Sequence, residues 1–236
     1  EKTEIKWSQT FINQLKSTND PRLPIISVIP PNNNNPADQI GMPNGYDVGT
    51  IRNINTASGY PGNRFAYSEP TVLFRNNDGP TFFLTYAESE LLLADAAARF
   101  SIAGSASDHY NNGVRAAMTF LSQYNASATI SDAAITTYLA ANPYNPANGL
   151  TMINTQYWIH ASTMLDFYEV WSNWRRTGMP ALTPTNYPTN VTGNTIPRRF
   201  PYPVREANTN PVNYNAAHNA VPGGDLLIGR VWWDSI

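Results

Sequence analysis

The sequence has no cysteine among its 236 residues, which removes disulfides, thiol nucleophiles, cysteine-ligated zinc and iron–sulfur clusters at once. Charge is scarce as well. Asp, Glu, Lys and Arg make up 14% of the chain, against about a quarter in an ordinary globular protein, and 15 basic residues nearly balance 17 acidic ones. Such a chain lacks the electrostatic footprint of a nucleic-acid binder and the polybasic patch of a membrane-surface protein. No apolar run reaches transmembrane length, and neither a signal peptide nor a lipidated cysteine is present, so these residues read as a soluble chain. Glu1 stands where an initiator Met would, which reads as a mature or truncated protein. His109, His160 and His218 show no metal-ligand spacing, and His160 falls on a helical stretch where a packing histidine is the ordinary reading. Gly-rich phosphate loops, nucleophile elbows and zincin sequences are missing too, so no cofactor or metal is expected. A carboxylate pair for glycoside hydrolysis has no sequence signature, and that reading stays open.

What is present is enough apolar residue, 42%, to build a core, together with 19 Pro and 14 Gly that commit much of the chain to loops. The polar surface falls to Asn, Thr, Ser and Tyr, a composition common in exported and carbohydrate-handling proteins. Ile5, Trp7, Phe11, Ile12 and Leu15 predict a short helix over 4–16, stopped before Asn19-Asp20-Pro21. Pro21 and Pro24 then predict an extended run into Ile25, Ile26, Val28 and Ile29. Residues 81–100 read as the most apolar helix, with Glu88, Glu90 and Asp95 on an exposed strip. The next helix opens at Ser105 and Asp108 with capping-box spacing and carries Gly113, which permits a close helix crossing. A short helix follows over 131–141, with Tyr138 and Leu139 inward.

Thr151–Pro180 reads as one long helix whose packing face includes Ile153, Tyr157, Met164, Tyr168 and Trp171. Gly178 and Pro180 end it, and Arg175 and Arg176 sit at the negative end of its dipole. The whole reads as a mostly α fold without an internal domain boundary. Its helical core covers about 81–178, helices joined by short links form antiparallel hairpins, and the stretches 30–80 and 181–236 are loop-rich.

No residue pattern in the chain fits a catalytic motif, but one constellation fits a ligand. A pyranose has an apolar face that stacks on aromatic rings and hydroxyls that take paired hydrogen bonds. The 30–80 loop offers the matching groups in one place: Tyr46, Tyr60, Phe65 and Tyr67 beside Asn44, Asp47 and Arg64. Long ordered loops are usually functional.

Several ordered segments carry a resemblance. Asn19-Asp20-Pro21-Arg22-Leu23, YAESELLLADAA at 86–97, His109-Tyr110-Asn111-Asn112-Gly113-Val114, and the run from Gln156 through Trp174-Arg175-Arg176-Thr177-Gly178 are among them. With Ile196-Pro197-Arg198-Arg199 and the closing Arg230-Val231-Trp232-Trp233-Asp234, they resemble the SusD/RagB family, in the branch of SusD-like nutrient-binding outer-membrane lipoproteins. The resemblance implies a scaffold of tetratricopeptide-like helix hairpins, an α/α superhelix, covered by long irregular loops with little β structure.

It also implies a Bacteroidetes-type surface protein of polysaccharide utilisation, one that binds an oligosaccharide or other nutrient and does no chemistry. Its expected partner is a TonB-dependent SusC-like transporter. Its expected membrane attachment is an N-terminal lipid anchor that is not in this chain, which aligns with the C-terminal half of the family. Arg175, Arg176, Arg198 and Arg199 are expected to latch the tail by pairing with Glu88, Glu169 or Glu206 or by satisfying helix-end carbonyls. Two other readings stand beside nutrient binding: a helical-repeat module that binds a peptide or partner chain, and a glycoside hydrolase.

Overall fold

The computed structural model describes residues 5–49, 51–102 and 104–234. They form two compact units, residues 1–170 and 171–236, taken in turn below.

In the first unit, α1 (Gln9–Ser17) begins later than periodicity predicts because Ser8 caps it, its hydroxyl accepting from the Phe11 N–H at 3.2 Å. Residues before the cap are extended: Trp7 N–H donates to Ser68 O, and Trp7 O accepts from Met42 N–H. The proline-bracketed segment is not extended throughout. Leu23–Ile26 closes one helical turn, α2, with Pro24 in the first-turn position that tolerates proline. Only then does the chain straighten into β1 (Ser27–Val28), which pairs antiparallel with β2 (Glu69–Pro70), Ser27 opposite Pro70. Ahead of α2, Arg22 and Asp20 are fully buried, with Nη2 to Oδ2 at 2.5 Å and a further bond from Nη2 to Gln156 Oε1 at 2.7 Å.

The helical scaffold follows as α3 (Tyr86–Phe100), α4 (Ala106–Thr119), α5 (Asp132–Ala141) and α6 (Gly149–Thr163). Helices α3 and α4 form a hairpin that crosses closely at Gly113, where a Cβ would lie 2.7 Å from Leu91 Cγ. The acidic strip of α3 faces inward rather than out: Glu88, Glu90 and Asp95 are buried, while Tyr86, Leu92 and Phe100 are exposed. Each carboxylate has a local reason to be inside. Glu88 closes a capping box on Thr85, Glu90 takes His109 at 2.7 Å, and Asp95 takes Arg99 and Asn154, each at 2.8 Å. Tyr110, Val114, Leu121, Ile135, Tyr157 and Trp158 belong to the main core between these helices.

The predicted long helix is two helices. After Thr163 the chain breaks, Leu165 turns left-handed at φ 63°, and α7 runs from Phe167 to Thr177. Asp166 causes the restart, its Oδ1 accepting from Glu169 N–H at 3.0 Å. Gly178 ends α7 as predicted, at φ 68° with its N–H on Trp174 O.

In the second unit the tail carries two further helices that periodicity does not show, α8 (Glu206–Thr209) and α9 (Pro211–Ala220). Among the described residues no helix is long and apolar enough to cross a membrane.

Candidate functional site

The 42–67 loop is organised by short-range polar bonds rather than by long elements. Asp47 accepts from Gly49 N–H at 2.8 Å, and its backbone exchanges bonds with Arg52 and Ile54, which closes the 47–54 turn. Asn53 and Asn63 each cap a single 3₁₀ turn, at Ile54–Thr56 and Arg64–Ala66. These bonds fold the loop over a small satellite core of Ile54, Ala57 and Tyr67, against which Met42, Tyr46 and Tyr60 pack half-buried.

Three of the four predicted rings therefore come together. Tyr60 and Tyr67 stand 6.4 Å apart between centroids, and Tyr46 lies on the same cluster with the Arg52 guanidinium 4.4 Å above its ring. Tyr67 is the innermost, 1% exposed, and its hydroxyl has no hydrogen-bond partner among the described residues. Burial, reinforced by the neighbouring Tyr60 and Tyr46, pushes its phenol above the usual tyrosine range. Phe65 stands apart from this trio, half-exposed between cations, with Arg64 4.6 Å and Lys6 5.7 Å from its ring. Asn44 is exposed, and Asp47 is a turn organiser. Sequence reasoning missed Arg52 and Lys6. Arg52 was legible in principle, since it lies in the same loop; Lys6 is brought in by the pairing of residues 7 and 68.

The four arginines belong to the second unit, where they knit the tail together. Arg175 lies 3.8 Å over the Trp171 ring and 4.7 Å over the Trp233 ring, and Arg175 and Arg198 each donate to the other's carbonyl at 3.0 Å. The carboxylates held by Arg198 and Arg199 are Asp234 and Asp225, rather than Glu88, Glu169 or Glu206. Both acids lie in the tail itself, so the pairs close within one unit. Burial alone would raise the Asp234 carboxyl, but bonds from Arg198 and Arg230 outweigh it and hold it below the usual range. Arg176 bonds Asn173 Oδ1 through Nε and Nη2.

In the first unit an apolar cleft of about 380 Å³ is lined by Trp7, Phe11, Phe74, Trp158 and Leu165, with Lys6 and Arg75 also in its lining. Among the described residues no cluster of three or more side chains has the make-up of a metal site.

Comparison with known proteins gives a consistent picture. The SusD-like family model described as starch-binding and associating with the outer membrane matches residues 1–203. A solved structure described as a chitin-binding protein is 32% identical, with a TM-score of 0.81 over 98% of this chain and 50% of its own. A Bacteroidetes SusD-like structure is 25% identical, with a TM-score of 0.77 over 97% of this chain and 53% of its own. A SusD homolog from Bacteroides fragilis is 24% identical, with a TM-score of 0.78 over 97% of this chain and 52% of its own. The chain thus spans about half the length of these structures. No curated protein matches it.

Proposed function

The chain belongs to the SusD-like family of starch-binding proteins associated with the outer membrane, and from that premise we propose that it binds an oligosaccharide for uptake through a TonB-dependent SusC-like transporter. The family is one of binding proteins, which sets the hydrolase reading aside. In this reading the protein works at the cell surface, on the outward-facing side of the outer membrane, held by a lipid anchor.

The observation that carries the site is the Tyr46–Tyr60–Tyr67 cluster. It joins the half-exposed Tyr46 and Tyr60 rings and the Arg52 guanidinium over the buried Tyr67, whose hydroxyl has no hydrogen-bond partner among the described residues. Phe65, Arg64, Asn44 and Asp47 border it in sequence. The arginines Arg175, Arg176, Arg198 and Arg199 serve as a latch within the tail and do not contact ligand.

Titration calorimetry of this protein with chito- and malto-oligosaccharides tests the reading. Each of Tyr46→Ala and Tyr60→Ala is expected to weaken binding about fivefold, from roughly 1 kcal/mol per stacked ring. Unchanged affinity in both variants sinks the site, and no binding to any glycan sinks the function. A second reading, a surface for a partner chain, is favoured by the apolar cleft around Trp7 and Trp158. The transporter is the partner it would take, and cross-linking from Leu165→Cys to that transporter is the corresponding test.

A further inference from the structure

A second, polar groove of about 680 Å³ lies in the first unit, bordered by the 24–34 segment, the 69–76 turn and the 124–128 turn. Its size falls within the roughly 300–1,000 Å³ of small-molecule clefts. Ile25, Val28, Leu73 and Tyr124 supply its apolar lining, and Ile25, Leu73 and Tyr124 are anchored on the main core.

Four asparagines, Asn32, Asn34, Asn76 and Asn125, share that lining. Three are held by only one end of the amide. Asn34 Nδ2 donates to Pro24 O at 3.2 Å, Asn76 Oδ1 accepts from Asp78 N–H at 3.1 Å, and Asn125 Oδ1 accepts from Ser127 N–H at 2.9 Å. Their other ends, Asn34 Oδ1, Asn76 Nδ2 and Asn125 Nδ2, have no partner among the described residues, and neither does the Asn32 amide. A bond at one end orients the amide plane. The groove therefore presents a free acceptor and free donors whose orientation the fold has already fixed, which lowers the ordering cost of binding.

The choice of ligand class follows from what each class would leave unmatched. An apolar ligand would strand the amides away from water with their free ends unpaired, which is unfavourable. Among the described residues the only charged side chains in the lining, Glu69 and Arg75, are already engaged within the protein, Glu69 holding Lys6 at 2.8 Å and Arg75 at 3.8 Å. A neutral molecule with one aliphatic face and many hydroxyls meets both the apolar lining and the amides.

We propose that this groove is a second oligosaccharide subsite, in which Asn34 Oδ1 accepts from, and Asn76 and Asn125 Nδ2 donate to, sugar hydroxyls. The proposal rests on the reading that the protein binds glycans, and it adds a site separate in sequence from the tyrosine cluster.

Calorimetric titration with chitotetraose and with maltotetraose, on the whole protein, tests it through stoichiometry. The wild type is expected to take two molecules per chain of whichever glycan binds. The Asn76→Ala/Asn125→Ala pair is expected to take one, the lost site being weakened at least tenfold, and Ser127→Trp, which fills the groove, is expected to do the same. Thermal melts check that the variants fold. Unaltered stoichiometry and affinity in both groove variants overturn the proposal; if Tyr46→Ala/Tyr60→Ala then abolishes binding, the tyrosine site survives alone. Binding lost only in the groove variants upholds the groove and removes the tyrosine site. No binding of either glycan overturns both.

Discussion

Replacing Gly113 by alanine sets two known effects against each other. Alanine is favoured over glycine inside a helix by about 1 kcal/mol. At this position, however, the new methyl would sit 2.7 Å from Leu91 Cγ, 2.9 Å from its Cδ2 and 3.2 Å from its backbone N. Leu91 is fully buried in the main core, so its side chain has little room to swing away, and its backbone belongs to α3. Overpacking of this kind costs about 1–3 kcal/mol, and the backbone contact argues for the upper part of that range. The net expectation is a loss of about 1 kcal/mol, or a fall of about 2–4 °C in melting temperature for a chain of this size.

Urea unfolding of the single variant, of Leu91→Ala and of the double variant closes a cycle. Leu91→Ala alone is expected to cost about 2–5 kcal/mol, and in its background Gly113→Ala should become neutral or stabilising because the Cγ and Cδ2 contacts are gone. Equal or greater stability of Gly113→Ala in the wild-type background would refute the close-crossing account, as would an undiminished cost beside Ala at 91.

Three further outcomes are expected. Asp20→Ala leaves Arg22 as an uncompensated buried cation and should cost about 3–5 kcal/mol by urea unfolding, whereas an exposed pair would cost little. His160 is buried against Phe120, and burial, then the Arg22 charge, lower its pKa to about 3. The unfolded chain therefore takes up this proton first, so stability should fall by about 1.4 kcal/mol per pH unit below about pH 6.5, a slope that His160→Gln removes. Asp234, held below the usual carboxylate range, contributes stability that is present above about pH 4 and is lost as pH falls through its folded value; Asp234→Asn should flatten that acid limb, followed by tryptophan fluorescence.

The scaffold was legible where one physical signal dominated. Helices α3, α4 and α5 follow from apolar periodicity and Ser or Thr caps, and the end of α7 follows from Gly178. The break at Leu165 was written in the sequence but hidden under a periodicity that continues across it: Asp166 and Glu169 have the spacing of a helix start, and Leu165 is not a residue that announces a left-handed turn. Helix α9 has no buried residue, so no apolar stripe marks it, and only Pro211 at its first turn gives it away.

The inward placement of Glu90 and Asp95 was invisible because His109 and Asn154, which hold them, come from other helices, whereas Thr85 and Glu88 have the spacing of a capping box. At the candidate site the loop and its residue types were legible. Which ring lies inside was not, because Tyr67 is buried by the folding of the 47–66 turns over it rather than by any pattern around it. The half-satisfied asparagines of the polar groove were equally hidden, since composition counts amides and not the ends that are free.

A crystal structure of the protein with a bound chito- or malto-oligosaccharide tests the central claim most directly. The predicted result is a sugar ring with its apolar face on Tyr46 or Tyr60. A bound sugar that leaves the tyrosine cluster untouched would contradict it.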